Sequence, residues 1–195
     1  TTLRAVSGIL QFDEGEILID GHSVKAQPVL CKSISAYIPD NPDIYDYLTG
    51  TQYLNYIADI FRVDQKTRSE KIVKYADMFR IRDDLGKLVS SYSHGMKQKL
   101  VIISALLHSP KLLILDEPFV GLDPEAAFKL KSVFKEMCEQ GCAIFFSTHV
   151  LDVAEKLCNK IAIIKGGKLI ACGNTDEVRG DSSLEKVFME VLENK

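Results

Sequence analysis

The stretch Lys111-Leu112-Leu113-Ile114-Leu115-Asp116-Glu117-Pro118 decides how the chain is read. Four consecutive apolar residues make a strand buried on both faces, as in a parallel sheet covered by helices. Such a strand delivers the next two residues, both carboxylates, to the C-terminal edge of the sheet, where open α/β folds bind ligands. In a nucleotide site the first acid, Asp116, can hold Mg²⁺, and the second, Glu117, can orient an attacking water or take its proton. The same pair could equally open a turn ahead of Pro118, so the surrounding sequence has to decide.

Short β-branched runs alternate with longer helical patterns on both sides, which predicts an α/β domain with a largely parallel sheet. Residues 1–10 read as the end of a helix closed near Gly8. Residues 16–20, followed by Gly21, read as a strand and turn, and residues 33–38 as a strand stopped by Pro39. From 48 to about 88 the pattern is helical only. Tyr53, Leu54, Ile57, Ile60 and Phe61 share one face, and Ile72, Val73, Ala76, Met78 and Phe79 follow the polar stretch 64–70. Residues 48–92 are therefore expected as a helical subdomain within one domain spanning 1–195. A helix over 95–108 precedes the acidic strand. After it, Asp123-Pro124-Glu125 starts a helix, with an N-cap acid, a first-turn proline and a second acid at the positive dipole end. That helix should run to about residue 140. A strand over 143–147, a helix over 151–158 and a hairpin over 161–170 turning at Gly166-Gly167 complete the pattern.

With 195 residues, 46% of them apolar, the chain can bury one substantial core. No apolar run approaches the ~20 residues of a membrane-crossing helix. A net charge of −3, with both signs interspersed, gives no broad positive face, so no nucleic-acid partner is expected. The five cysteines are odd in number and include no C-x-x-C pair, which disfavours a disulfide scaffold or a zinc site and fits a reducing compartment. Cys138 and Cys142 are expected as two separate semi-buried thiols, because Gly141 between them should end the helix.

Three further stretches accompany the acidic pair. Tyr92-Ser93-His94-Gly95-Met96-Lys97-Gln98 opens a helix, Gly121-Leu122-Asp123-Pro124 follows the strand, and Phe146-Ser147-Thr148-His149 sits at the end of the next one. Ser93 and Gly95 precede a helix whose unpaired N–H groups suit a phosphate, and a residue without Cβ permits close approach; Ser93 would also serve as a plain N-cap. Asp123 reads equally as an N-cap, and His149 as a strand-end turn residue. In this order the stretches resemble the signature motif, Walker B motif, D-loop and His switch of ABC transporter ATP-binding domains. Residues 37–42 fall at the glutamine loop, and the resemblance covers essentially the whole chain.

The resemblance implies a P-loop NTPase-like three-layer sandwich: a mainly parallel sheet, a helical subdomain and a small antiparallel β part. It implies ATP and Mg²⁺ as cofactors, Asp116 as metal ligand, Glu117 and His149 as catalytic groups, and nucleotide contacts from Thr1, Asp40, Ser93, Gly95 and Asp123. It also implies a head-to-tail pair of protomers driving an integral membrane permease subunit, at the cytoplasmic, inner face of the cell membrane. ABC ATPases acting on ribosomes or DNA, and a non-hydrolysing interaction module, are the rival readings.

The phosphate loop G-x-x-x-x-G-K-[ST] does not occur in the chain. By the family's spacing Thr1 matches the second hydroxyl after its lysine, so the chain is expected to be cut within that motif and inactive as it stands. Two positions depart from the common pattern. Ser93-His94-Gly95-Met96 replaces Ser-Gly-Gly-Gln and resembles the exporter branch, and Asp40 stands where the family has glutamine.

Overall fold

The computed structural model describes residues 1–41 and 44–193. They divide into two compact units, Thr1–Ser147 and the remainder from Thr148.

The first unit opens with α1 (Thr2–Val6), which buries Leu3 and ends at Gly8 in the left-handed region. Strands β1 (Leu18–Ile19) and β2 (His22–Ser23) pair antiparallel around Asp20 and Gly21, both at positive φ. The strand predicted over 16–20 is thus cut to two residues, because this turn folds it straight back. Next comes α2 (Pro28–Ser33), a helix the sequence reading did not anticipate, with proline in its first turn and Cys31 buried. It delays the strand predicted from residue 33 until β3 (Ser35–Ile38), and Ser35 Oγ ties the junction by donating to the Cys31 carbonyl at 2.7 Å.

The helical stretch comprises α3 (Gly50–Ile60) and α4 (Gln65–Met78), followed by 3₁₀ turns at Arg82–Asp84 and Val89–Ser91. Thr49 and Gln52 form a capping box on α3, and Asp64 caps α4. Leu54, Ala58 and Ala76 are fully buried, whereas Ile60 and Val73, placed on the apolar faces from sequence, are exposed. Ile60 falls off the stripe that Leu54 and Ala58 share one turn apart. The unit closes with α5 (His94–Leu106), β4 (Leu112–Asp116), α6 (Pro124–Glu139) and β5 (Ala143–Ser147). The strands β3, β4 and β5 form a parallel sheet in that order, with Ile38 opposite Leu115 and Asp116 opposite Ser147. Central β4 buries Leu113, Ile114 and Leu115 almost completely, as its apolar run requires.

The second unit contains α7 (Leu151–Leu157), the antiparallel hairpin β6 (Lys160–Lys165) and β7 (Lys168–Asn174), α8 (Thr175–Arg179) and α9 (Leu184–Glu193). The hairpin turns at Gly166-Gly167, both at positive φ, and extends beyond residues 161–170. Glu155 on α7 accepts the Leu184 N–H at 2.8 Å and pairs with Arg179, which fixes α9 and α8 to it. The architecture is α/β, with a parallel sheet, helices and small antiparallel parts. Among the described residues no helix is long and apolar enough to cross a membrane. All five cysteines are free, and Gly141, at φ 91°, separates Cys138 from Cys142 at the end of α6.

Candidate functional site

The parallel register places the acidic pair. Because Ile38 pairs with Leu115, Asp40 and Glu117 each stand two residues beyond paired positions, and they leave neighbouring strands at the same C-terminal edge. Ser147, at the end of β5 and opposite Asp116, donates its hydroxyl to Asp116 Oδ1. The Glu117 N–H reaches the Ser147 carbonyl at 3.2 Å. The backbone of Glu117 is left-handed, at φ 49°, a conformation that non-glycine residues adopt chiefly where their surroundings impose it. Asp40 is exposed and accepts the Asn41 N–H at 2.8 Å, the local turn its residue type favours. Pro42, the last residue of that expected turn, lies outside the described residues.

Electrostatics tie these groups together. Burial raises the Tyr37 hydroxyl above its ordinary value, and the Asp116 carboxylate adds to the rise; Asp40 contributes the same way and Arg4 opposes. Tyr37, on β3, therefore senses Asp116 and Asp40. Among the described residues no three His, Cys, Asp or Glu side chains cluster as a metal cage. An oriented carboxylate such as Asp116 suits a hard cation that takes most of its shell from phosphates and water, the usual arrangement for Mg²⁺.

A second group forms where α5 and α6 begin. Ser93 caps α5, accepting the Met96 N–H at 3.3 Å. Asp123 caps α6, accepting the Ala126 N–H at 2.8 Å, while its other oxygen pairs with Lys99 at 2.6 Å. Lys99 foremost, and the Ala126 N–H, hold the Asp123 carboxyl below its ordinary value. Both capping roles left open by the sequence are thus occupied. Gly95 has a packing reason of its own: a Cβ there would stand 2.6 Å from the Gly121 carbonyl oxygen. Thr1 precedes α1 as its N-cap position without a side-chain capping bond. His149 belongs to the second unit and is exposed.

Sequence reasoning missed Ser147 and Lys99 as partners of the acids, and His94 and Tyr37 as neighbours of the site. In sequence Ser147 is simply the last residue of a strand, two positions before His149. Its role depends on strand register, which no local pattern carries. Lys99 lies one and a half turns into α5 and meets Asp123 only because two helix starts converge.

The family profile described as ABC transporter matches residues 1–120. The ATP-binding protein EcsA of Bacillus subtilis is 32% identical over 196 residues, covering 98% of this chain and 79% of that protein. An uncharacterized ABC transporter ATP-binding protein of Nostoc sp. is 31% identical over 94% of this chain, which spans about half of that relative, 55% of its length. A solved structure described as the ATP-binding subunit of an ABC transporter superposes with a TM-score of 0.94 at 31% identity, covering 98% of this chain and 82% of that one. With the ordered motifs on this fold and a profile match over more than half its length, the chain belongs to the ABC transporter family.

Proposed function

We propose that the chain is the ATP-hydrolysing part of an ABC transporter, working as a head-to-tail pair beneath a membrane permease and, from its Ser-x-Gly-Met-Lys-Gln signature, serving export. The observation that carries this reading is the Asp116–Glu117 pair at the C-terminal edge of a buried parallel strand, anchored by Ser147 and flanked by the capped starts of α5 and α6.

In this reading Asp116 is the residue that would hold Mg²⁺, which when bound offsets phosphate charge. Glu117 orients the attacking water and takes its proton. Ser93 and the first N–H groups of α5 offer an anion contact, to the nucleotide held by the other protomer. Asp40, at the same edge, adds a carboxylate where relatives of this family carry a neutral amide. Thr1 lies beside the phosphates, Asp123 holds the turn behind the acids, and His149 donates to the terminal phosphate. Work at the inner face of the membrane follows from the permease partner.

The test uses a chain extended ahead of Thr1 to carry the phosphate loop. Glu117→Gln keeps the side chain's size and removes its basicity, so turnover should fall by about 10²-fold or more while ATP binding persists and ATP-dependent dimers accumulate. Turnover near that of the parent would remove Glu117 from the chemistry.

A further inference from the structure

Between Glu117 and Asp123 the chain makes a short loop that is held on two sides. On the inner side Phe119 packs edge-on against Phe134 and Phe146, with ring centres 5.9 and 6.1 Å away. The loop is closed by Val120 N–H to the Glu117 carbonyl at 3.1 Å and Leu122 N–H to the Phe119 carbonyl at 3.4 Å. Its first residue, Glu117, and its fifth, Gly121, both have positive φ, at 49° and 79°. The outer side is held by the first turn of α5. A Cβ on Gly121 would stand 2.6 Å from His94 Cδ2 and 3.0 Å from Nε2, so the imidazole lies directly against the Gly121 backbone. The Gly121 carbonyl in turn abuts Gly95, and the Lys99–Asp123 pair closes the far end at 2.6 Å.

We infer that His94 is a positioning residue for Glu117: its ring, wedged on Gly121, clamps the loop against its aromatic anchor and keeps the Glu117 backbone in its left-handed conformation at the end of β4. This rests on Glu117 acting as proposed above. A left-handed glutamate persists only where the surroundings over-determine it. Six residues, 117–122, closed by two hydrogen-bonded turns transmit a shift at Gly121 to Glu117, because the other end is fixed on Ser147. Glycine at position 94 would supply no clamp. His94 therefore makes the start of α5 and the loop bearing Glu117 move together, and a disturbance of the α5 N-terminus reaches the carboxylate within the same chain.

Two readouts test this. In the 195-residue chain, His94→Gly should raise hydrogen exchange at the Glu117 and Val120 amides about 10-fold, while exchange in β4 stays unchanged. His94→Phe, which keeps a planar ring, should leave exchange at both amides within about threefold of the parent. In the loop-extended chain, His94→Gly should lower kcat about 10-fold with the KM for ATP within about twofold, and His94→Phe should retain most of kcat. Combining His94→Gly with Gly121→Ala should be less damaging than adding the two effects, since the clash at 2.6 Å is gone. Unchanged exchange in His94→Gly, or equal losses in the Gly and Phe variants, would overturn the inference. An extended parent without turnover would refute the proposed function alone, leaving the exchange result to judge the clamp; if Gly121→Ala does not fold, the two His94 variants decide.

Discussion

Ser147 donates its hydroxyl to one oxygen of Asp116 and accepts the Glu117 N–H on its carbonyl, so one residue on β5 holds the carboxylate of Asp116 and the backbone of Glu117. A carboxylate that must meet a metal benefits from a neighbour that fixes its rotamer, and such outer partners typically matter 10–100-fold to affinity or activity. Ser147→Ala removes the hydroxyl donor and keeps the backbone contact. The expected result, in the loop-extended chain, is a Mg²⁺ requirement raised by roughly 10-fold with modest loss of stability. A Mg²⁺ titration of turnover checks it, and an unshifted titration curve would show that Asp116 needs no such support. Asp40 poses the complementary question. As an exposed turn acid one strand away, it adds charge to the edge and accepts the Asn41 N–H. Asp40→Gln should lower Mg²⁺ affinity if the carboxylate reaches the ion, and Asp40→Ala should match it; identical metal and pH profiles in parent and both variants would place Asp40 outside the site.

At the scale of elements, the helix starts carry both fold and site. Asp123 caps α6 and pairs with Lys99, so Asp123→Ala should cost about 1–2 kcal/mol, mostly from the lost cap with a smaller share from the half-exposed ion pair. The sign with pH follows from the depressed carboxyl. Its folded pKa lies below the ordinary 3.8, so its stabilisation is fully present above that value and disappears as pH falls through the folded one. Urea unfolding of parent and variant should therefore differ at neutral pH and converge in strong acid; a gap independent of pH would assign the cost to helix propensity instead. This start was legible from Asp123-Pro124-Glu125 because capping is local, as were β4 from its apolar run and the Gly166-Gly167 hairpin turn. The short β1 and β2, helix α2 and the exposed Ile60 were not, because each is decided by what packs against it. The same divide runs through the site. Asp116 and Glu117 stand out in sequence, but the Asp116–Ser147 register and the His94–Gly121 contact join residues about thirty apart, which no local spacing encodes.

Across the first unit, four elements converge on His108, two residues past α5. Its ring stacks on Phe61 at the end of α3, with centres 3.7 Å apart, and its Nε2 meets the Ser35 carbonyl of β3 at 3.2 Å. From α4, Lys71 donates to the Leu107 carbonyl at 2.7 Å and to Ser109 Oγ at 2.6 Å, bringing a positive charge beside the imidazole. Burial foremost, and Lys71 in addition, push the His108 pKa down to about 4, against the Ser35 bond, which favours the charged ring. Unfolding releases the ring to its ordinary value of 6.5, so the unfolded chain binds the extra proton between the two. The stabilisation from keeping His108 neutral is therefore complete above pH 6.5 and is lost as pH falls toward 4. A shift of this size corresponds to roughly 3 kcal/mol, and about 2 kcal/mol is a fairer expectation for a ring that is not wholly buried. His108→Phe preserves the stack on Phe61 and removes the titration, at the cost of leaving the Ser35 carbonyl without that contact. The variant should be less stable than the parent at pH 7, yet its stability should fall less steeply between pH 6.5 and 4.5, before the depressed carboxyls of Asp64 and Asp123 begin to protonate. Equilibrium unfolding at several pH values reads the slope directly. Equal slopes in parent and variant would mean that acid destabilises this fold through other groups, and that His108 joins its elements by packing alone.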